Sequence, residues 1–460
     1  MGRMIVRRRW ATLAVIMGLL MTPTVAMASQ GELVRASAAA SGTGANGAST
    51  DVLVSGDGRF LVFTSQASNL ATGDSNGRPD IFRFDRLSGV ITSVSVTVSG
   101  AFLQATHGAP VVSADGRFIA FWTDGVFDST DDTRSADVVV KDMDTGAVQR
   151  LSMAPDGSNK IGADRIGSVG SLAISDDGRL GAFKSNATNL VAGDGEDQQP
   201  DIYLRDRNTG LTSLLSGEPT GGPGPSGGLE VVISGSGSEA VAGYKVLAAD
   251  RSHRLMIRLL ESGVETQLEG VDSQRSSIWA VEPGGARAII SGGSGSPPSE
   301  YDVATKTLTA LPDNVDWAEA EPSSFSSDLR YYAVAQTTSF SFHVFDRETE
   351  TLNELPRNAA GVGPDQDVDS ISISDDGSIV AFLSAASNLA SNDTDGLTDA
   401  FYVRVGIGSF SDDDGNPLEA DIEWLFEQGI TLGCGIDAFC PKDPVTREQM
   451  ASFLVRALDL

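Results

Sequence analysis

The chain has 460 residues and carries 62 acidic against 33 basic side chains, for a formal net charge of −29 at pH 7. A surface this acidic repels phosphate backbones, which argues against nucleic acid as a partner, and it attracts cations. The three scattered histidines, His107, His253 and His343, leave little material for a histidine-based metal site or acid–base pair.

The first 28 residues have the three parts of a secretory signal peptide. Basic residues at Arg3 and Arg7–Arg9 precede the apolar run Ala11–Leu20, and Ala26-Met27-Ala28 follows as a small-x-small cleavage site. The apolar run is too short to span a bilayer comfortably, so we expect cleavage before Ser29 rather than retention as an anchor. These features predict an exported protein, and no later stretch of the sequence is long and apolar enough to span a membrane after cleavage.

A repeated phrase, Ser-x-Asp-Gly-Arg followed by an apolar run, organises most of the chain. It begins at Ser55, Ser113 and Ser175. The unit that contains Ser113 has a short apolar strand before the phrase, a second strand after it, and a third strand that ends in the turn Asp142–Gly146, with a fourth strand behind that turn. Four short antiparallel strands in a repeat of about 45–60 residues are typical of a propeller blade.

Weaker copies of the unit fill the remainder of this region. They are Ser234–Ser238, Glu282–Gly285, Ser326–Arg330 and Ser374–Ser378. Strong and weak copies together predict an all-β fold with a seven-bladed propeller, and counts of six or eight remain open. The last unit stops after the strand Ala400–Val405, whereas Glu32–Ser37 looks like a fourth strand without a blade. We expect this N-terminal strand to close the ring and remove two sheet edges, the alternative being an unstructured tail.

These units resemble the TolB-type, WD40-like (PD40) propeller repeat over residues 31 to about 407. The matching residues are the Ser-x-Asp-Gly-Arg turns, the stretch Asp80–Asp85, and the turns of the form Asp-x-x-Thr-Gly. The resemblance implies a propeller domain, residues 29–407, that binds protein or glycan partners on its faces without needing catalytic activity.

The C-terminal segment, residues 409–460, changes to a helical pattern. Ile422, Leu425 and Phe426 have helical spacing before Gly429, and Thr446 is an expected N-cap of a second helix. The only cysteines, Cys434 and Cys440, form a close pair that predicts a disulfide in an exported chain, and no histidine lies near enough in sequence to favour zinc.

The same segment resembles the S-layer homology (SLH) domain of bacterial surface proteins. Four phrases occur in the family's order, namely Phe410-Ser411-Asp412, Gly429–Gly433, Phe439-Cys440-Pro441 and Val445–Glu448. The resemblance implies attachment to cell-wall polysaccharide, with Thr446 and Arg447 helping to hold an anionic glycan. Asp412 is a further candidate, and so is Trp424, which lies on the predicted helix, whereas Asn416-Pro417-Leu418 stands where the family often has an aromatic residue. The alternative role for Arg447 is an ion pair with a neighbouring acid such as Glu448. The family usually has three copies where this chain has one, so a lone copy binds weakly or only supports the propeller.

Acid-rich loops before the third strands are candidate calcium sites. Oxygen ligands at alternating positions with a glycine turn suit calcium, and Asx-turns in solvated loops explain the same residues. The candidate ligands are Asp74, Asn76 and Asp80 in one loop and Asp393, Asp395 and Asp399 in another. No other cofactor is expected.

No catalytic residue is predicted. The sequence Gly224–Gly228 matches a nucleophile elbow but lacks the strand before it and the helix after it. The leading hypothesis is therefore an exported, non-catalytic binding protein tethered to the cell wall. The alternative is a carbohydrate-active enzyme, a glycoside hydrolase or lyase, with carboxylates at the propeller axis.

Overall fold

The structure is a computed structural model. It describes residues 33–127, 136–158, 171–192, 200–216, 228–248, 250–292, 297–311, 317, 322–336, 340–348, 351–355, 358, 362–391, 393 and 395–405, and the single positions 422, 425, 431, 439 and 450. The described part of the chain is all-β, with short antiparallel strands and three single 3-10 turns, Gly237–Glu239, Pro283–Gly285 and Pro322–Ser324. The single positions 422, 425 and 450 are helical. None of its helical segments is long and apolar enough to cross a membrane.

The described strands pair into seven sheets. Sheet 1 contains β2 (Ser49–Val54), β3 (Phe60–Ser65), β4 (Asp80–Asp85) and β5 (Val90–Ser93). Sheet 2 contains β6 (His107–Val112), β7 (Phe118–Thr123), β8 (Asp137–Asp142) and β9 (Val148–Arg150). Sheet 3 contains β10 (Leu172–Ile174), β11 (Leu180–Ser185), β12 (Asp201–Asp206) and β13 (Leu211–Leu214). Sheet 4 contains β14 (Gly228–Ser234), β15 (Val241–Leu247), β16 (His253–Leu259) and β17 (Glu265–Gln267).

The remaining sheets follow the same order, with exceptions in sheets 6 and 7. Sheet 5 contains β18 (Ile278–Val281), β19 (Arg287–Ile290), β20 (Ser299–Asp302) and β21 (Thr307–Ala310). Sheet 6 has three strands, β22 (Tyr331–Gln336), β23 (Ser341–Asp346) and β24 (Thr351–Leu355). Sheet 7 contains β25 (Val368–Ile373), β26 (Ile379–Ser384) and β27 (Asp399–Arg404), and its fourth strand is β1 (Leu33–Arg35).

The first strands of the sheets contact one another in circular order. β25 contacts β2, and the contacts continue through β6, β10, β14 and β18. In sheet 6 the turn Pro322–Ser324 takes the place of a first strand and contacts both β18 and β25, while Phe325 forms a bridge to Tyr332. The order of contacts therefore returns from sheet 7 to sheet 1, as it does in a β-propeller.

The Ser-x-Asp-Gly-Arg phrase forms the turn between the first and second strands. In sheet 2 the Ser113 hydroxyl donates to Asp115 Oδ1 at 2.6 Å, and the Arg117 amide donates to the same oxygen at 3.0 Å. The Phe118 amide donates back to Ser113 Oγ at 2.9 Å. The serine and aspartate thus satisfy the polar groups of a tight turn internally. The same bonds occur in sheets 1, 3, 6 and 7.

The arginine of the phrase joins the second strand to the end of the third. Arg117 donates from Nε to Asp142 Oδ1 at 3.0 Å and from Nη2 to Oδ2 at 2.8 Å, a bidentate pair. These bonds from Arg117 hold the pKa of Asp142 far below its usual value. Equivalent pairs are Arg59–Asp85, Arg179–Asp206 and Arg330–Asp346.

The glycine of the phrase fits one sheet against the sheet before it. Gly116 has φ of +68°, and a Cβ added there would lie 2.2 Å from the ring of Phe60 in sheet 1. Gly178 meets Phe118 at the same distance, and Gly377 meets Tyr331 at 2.5 Å. Glycine is therefore required for its backbone conformation and also for close packing between neighbouring sheets.

The N-terminal strand completes sheet 7, which confirms the predicted closing strand. Residues of β1 pair with β27 in the register Leu33↔Val403 to Arg35↔Phe401. Just beyond β1, the buried Ser37 donates to Asp399 Oδ1 at 2.5 Å and accepts the Ala400 amide at 3.0 Å. Ser95, Ser152 and Ser216 make the same two bonds after the fourth strands of sheets 1 to 3.

The glycine contact predicts a difference between two glycine-to-alanine variants. Gly146→Ala pays only for a left-handed backbone, about 1 kcal/mol, because Gly146 has φ of +73° and no atom within 4 Å of an added Cβ. Gly116→Ala should cost a further ~1–3 kcal/mol, since the Cβ displaces Phe60. Urea unfolding of both variants measures the difference, and equal losses of stability would contradict the packing role.

Ring closure through Ser37 predicts that Ser37→Ala lowers stability by about 1–3 kcal/mol, because the buried Ala400 amide and Asp399 lose a partner. The control is Ser41→Ala, whose hydroxyl bonds only the exposed Thr43. Thermal unfolding of the two variants is the measurement. Identical melting temperatures would show that the Ser37 contact contributes nothing to closure.

Candidate ligand-binding channel

Among the described residues, a cavity forms a channel along the axis of the ring. Its walls are the first strands of sheets 1 to 5 and 7, with the segment Ser323–Ser327 for sheet 6, and its volume is about 640 Å³. A site lined by all seven sheets exists only when the ring is closed, so its geometry depends on every inter-sheet contact described above.

Bulges in the first strands shape one end of the channel. Asp51, Ala109 and Ser370 have left-handed φ of +54°, +47° and +48°, and each lies within a register shift of its sheet. All three line the channel. Non-glycine residues in this conformation cost of order 1–3 kcal/mol each and cluster at functional sites. We call this level, near the beginning of the first strands, the bulge end.

Aromatic side chains also reach the channel near the bulge end. Trp122 pairs with Gly108, whose missing side chain leaves room for the indole, with its Nε1 3.0 Å from the position of an added Cβ. Trp279 is the extra residue in the register shift of β18, and its ring lies 6.1 Å from that of Phe325. Sheet 2 is three steps from both sheet 5 and sheet 6 around the ring, so Trp122 lies across the channel from Trp279.

The second residue of the repeated phrase lines the other end, which we call the turn end. Main-chain hydrogen bonds link these residues around the axis: the Asp375 amide donates to Gly56 O, the Asp57 amide to Ala114 O, and the Ala114 amide to Asp176 O. The Asp176 amide donates in turn to Gly235 O at 3.2 Å. The bonds bring residues from sheets 7, 1, 2, 3 and 4 together.

Two carboxylates converge at the turn end. Asp176 Oδ2 accepts the Gly235 amide at 3.0 Å, and Asp375 Oδ1 accepts the Ser327 amide at 3.2 Å. The mouth is narrow, because a Cβ on Gly56 would lie 2.2 Å from Asp375 Oδ2 and 3.0 Å from Ala114 Cβ. Burial and then the nearby charge of Asp375 raise the pKa of Asp176 to about 6. Burial also raises the pKa of Asp375.

One hydroxyl beside these carboxylates has no partner. Ser234 occupies the position of the phrase serine in sheet 4, but Ser236 stands where the repeats of sheets 1, 2, 3, 6 and 7 have aspartate. The Ser234 side chain is therefore left without a hydrogen bond, although the residue is only 7% exposed. It lines the channel, and its neighbour Gly235 is bonded to Asp176. Buried hydroxyls without partners are uncommon and call for an explanation.

The described channel lining carries charge of one sign only. Asp51 lies at the bulge end and Asp176 and Asp375 at the turn end, and no lysine, arginine or histidine is among the described lining residues. Carboxylates in a cleft with low-dielectric walls concentrate cations. Chemically, the channel offers hydrogen-bond acceptors, aromatic faces and apolar walls.

The residues predicted to bind calcium are engaged within the protein. Asn76 donates to Asp80 at 2.8 Å, and Asp80 also accepts from Ser95. Asp399 lies 3.2 Å and Asp393 3.6 Å from Arg35 Nη1, and burial raises the pKa of Asp399 to about 6 despite that guanidinium.

Asp74 and Asp395 lie in the same two loops, where burial raises the pKa of Asp74 and the Leu397 amide donates to Asp395 at 3.0 Å. In the described part of the chain no three His, Cys, Asp or Glu side chains are placed to hold a metal ion. Calcium binding at these loops stays a prediction.

The predicted wall-binding and disulfide residues lie outside the described residues. They are Asp412, Trp424, Thr446, Arg447, Cys434 and Cys440. Sequence reasoning in turn missed Asp51, Asp176, Asp375 and Ser234. The sequence did carry a signal for three of these residues. Asp176 and Asp375 are acids at the second position of the phrase, and the phrase that begins at Ser234 lacks its aspartate.

The shared mouth predicts that Asp375→Asn lowers the pKa of Asp176, because the charge of Asp375 raises it. The contribution of Asp176 to stability falls as pH rises from about 4 to 6, since its folded pKa lies above its unfolded one. Carboxyl NMR titration measures the pKa. Asp272→Asn, at an exposed ion pair with Arg275, is the control. A pKa of Asp176 that is the same in Asp375→Asn and wild type would rule out coupling.

No protein-family model matches the sequence, and no curated protein matches it significantly. Its structural neighbours are TolB-like β-propeller proteins. TolB from Acinetobacter baumannii is 15% identical with a TM-score of 0.37, over 67% of this chain and 63% of TolB. The oligogalacturonate lyase from Vibrio parahaemolyticus is 10% identical with a TM-score of 0.47, over 81% of this chain and 93% of the lyase. A putative TolB from Agrobacterium tumefaciens is 13% identical with a TM-score of 0.31, over 66% of this chain and 79% of that protein.

Proposed function

We propose that the protein is an exported, non-catalytic binding protein, with seven blades in one closed ring, whose ligand enters the central channel. The observation that carries this role is the channel itself, where carboxylates and aromatic rings from separate sheets meet in about 640 Å³. Small-molecule sites have volumes of about 300–1,000 Å³ and combine apolar walls with a few convergent polar groups.

The hydrogen bonds of Asp176 and Asp375 favour binding over catalysis. Each carboxylate accepts a main-chain amide from another sheet, so each is fixed as part of the channel wall. A fixed wall presents acceptors at constant positions without reorganisation, which lowers the cost of ordering on binding.

The binding role predicts that a ligand from a panel of neutral oligosaccharides, uronate oligosaccharides, short peptides and polyamines raises the melting temperature without being converted. At 100 times Kd the stabilisation is about 2.7 kcal/mol. Ala114→Trp, which fills the turn end, should abolish it, and Asp272→Asn should keep it. A panel with no stabilising ligand, or stabilisation that survives Ala114→Trp, would refute the channel as the site.

The second candidate function is a carbohydrate-active enzyme. It is supported by two coupled carboxylates, one with its pKa raised to about 6, beside aromatic rings suited to stack on sugars. Incubation with wall and plant polysaccharides separates the two functions. Product formation that Asp176→Asn abolishes supports the enzyme, and saturable binding without product supports the binding protein.

We further propose that residues 409–460 attach the protein to an anionic cell-wall glycan. The support is the ordered set of S-layer-like phrases and the guanidinium of Arg447, which suits a bidentate contact with a carboxylate. This attachment would place the channel at the cell surface.

The attachment predicts that the full chain sediments with purified bacterial cell wall and that Arg447→Ala weakens this binding by about 1–3 kcal/mol. Arg447→Lys should recover only part, because an ammonium lacks the planar fork. Co-sedimentation at two salt concentrations measures the effect. If the wild-type chain does not sediment above an inert control protein, a single copy does not anchor.

A further inference from the structure

The acidic groups of the channel are separated along its axis. Asp51 lies at the bulge end, and Asp176 and Asp375 lie at the turn end. Asp51 precedes Gly56, the turn-end residue of its own sheet, by five positions, which is at most about 16 Å at ~3.3 Å per strand residue. The channel therefore offers negative charge at two levels.

The wall between the two levels is largely apolar. It is lined by Val54, Val112, Ile174, Ile233 and Ala280, with Trp122 and Trp279 near the bulge end. Aromatic faces attract ammonium groups, and aliphatic side chains favour contact with methylenes. A ligand that fills both levels thus has cationic ends and an apolar stem.

Ser234 is an independent sign of a ligand at the turn end. Its buried hydroxyl has no hydrogen-bond partner among the described residues, and the amide of the adjacent Gly235 donates to Asp176. An N–H donor of a ligand placed between Asp176 and Ser234 would satisfy this hydroxyl as an acceptor.

We propose that the channel binds a linear polyamine, with one terminal ammonium between Asp176, Asp375 and Ser234, its methylenes along the apolar wall, and another ammonium near Asp51 and Trp122. This inference rests on the proposed binding function and names the ligand class. A polyamine matches the pattern because its charges are spaced by short methylene runs, whereas a metal ion places its charge at one point and a neutral sugar carries none.

The experiment is calorimetry on the full chain with spermine, putrescine and butylamine at low ionic strength. We expect spermine to bind most tightly and butylamine least. Asp176→Asn should weaken spermine binding at least tenfold, since a charge-assisted contact is lost, while the asparagine oxygen can still accept the Gly235 amide. Asp272→Asn makes the same charge change at an exposed site and should have no effect.

Two further variants test the geometry. Asp51→Asn should weaken spermine several-fold and leave putrescine unchanged, and asparagine tolerates the left-handed backbone at this position. Ser234→Ala should weaken both polyamines without lowering the melting temperature, because this hydroxyl makes no bond in the fold. Ser175→Ala, which removes a bonded phrase serine, should lower the melting temperature instead.

The outcomes separate this inference from the proposed function. If spermine binds no more tightly than butylamine, or if calcium alone displaces it at equal concentration, the polyamine assignment is overturned. If another ligand of the panel then binds in a way that Ala114→Trp abolishes, the channel keeps its binding role. If no ligand of the panel binds, both the polyamine assignment and the proposed binding function are overturned.

Discussion

Closure of the ring is the constraint on which the rest of the structure depends. Each sheet covers the face of the next, and the phrase glycine sets how closely they approach, as Gly116 does against Phe60. Such an array leaves an uncovered face and edge at each end unless the last sheet meets the first. The pairing of β1 with β27 and the Ser37–Asp399 bond join the two ends through residues more than 360 positions apart. The axial channel exists only because this join is made.

Four positions of the repeated phrase have structural roles, whereas its second position varies between repeats. Its serine, aspartate, glycine and arginine make bonds within the sheet or contact the next sheet, so their identities are restricted. The second position contributes mainly its backbone to the circle of hydrogen bonds, so its side chain can vary. It is Gly56, Ala114, Asp176, Ser327 and Asp375 in the repeats that keep the phrase. A fold built this way can change what its channel presents while it keeps the main-chain bonds between sheets. Where the residue is an aspartate, its side chain adds a bond to the amide of a neighbouring sheet.

The sequence predicted the repeating strands and the closing strand because both depend on local patterns. Asp-Gly turns and alternating apolar runs are visible within one unit. The last unit has no fourth strand after Ala400–Val405, and Glu32–Ser37 has the pattern of such a strand. The bulges at Asp51, Ala109 and Ser370 could not be predicted, since none has the glycine that marks a left-handed residue. Tertiary packing imposes that conformation.

The carboxylates of the candidate site could not be predicted from the sequence because they too depend on tertiary packing. Asp176 and Asp375 are 199 positions apart, and only the circular order of sheets brings them to one mouth. The spacing of acids in the loops predicted Asp80 and Asp399 as metal ligands. Each of these carboxylates instead accepts a hydrogen bond from a serine that follows the fourth strand of its sheet. Local spacing thus found acids that stabilise sheets, whereas the acids at the axis are distinguished by their place in the repeat. In a circular array, comparing one position across all repeats identifies the residues that meet, because equivalent positions lie at the same height around the axis.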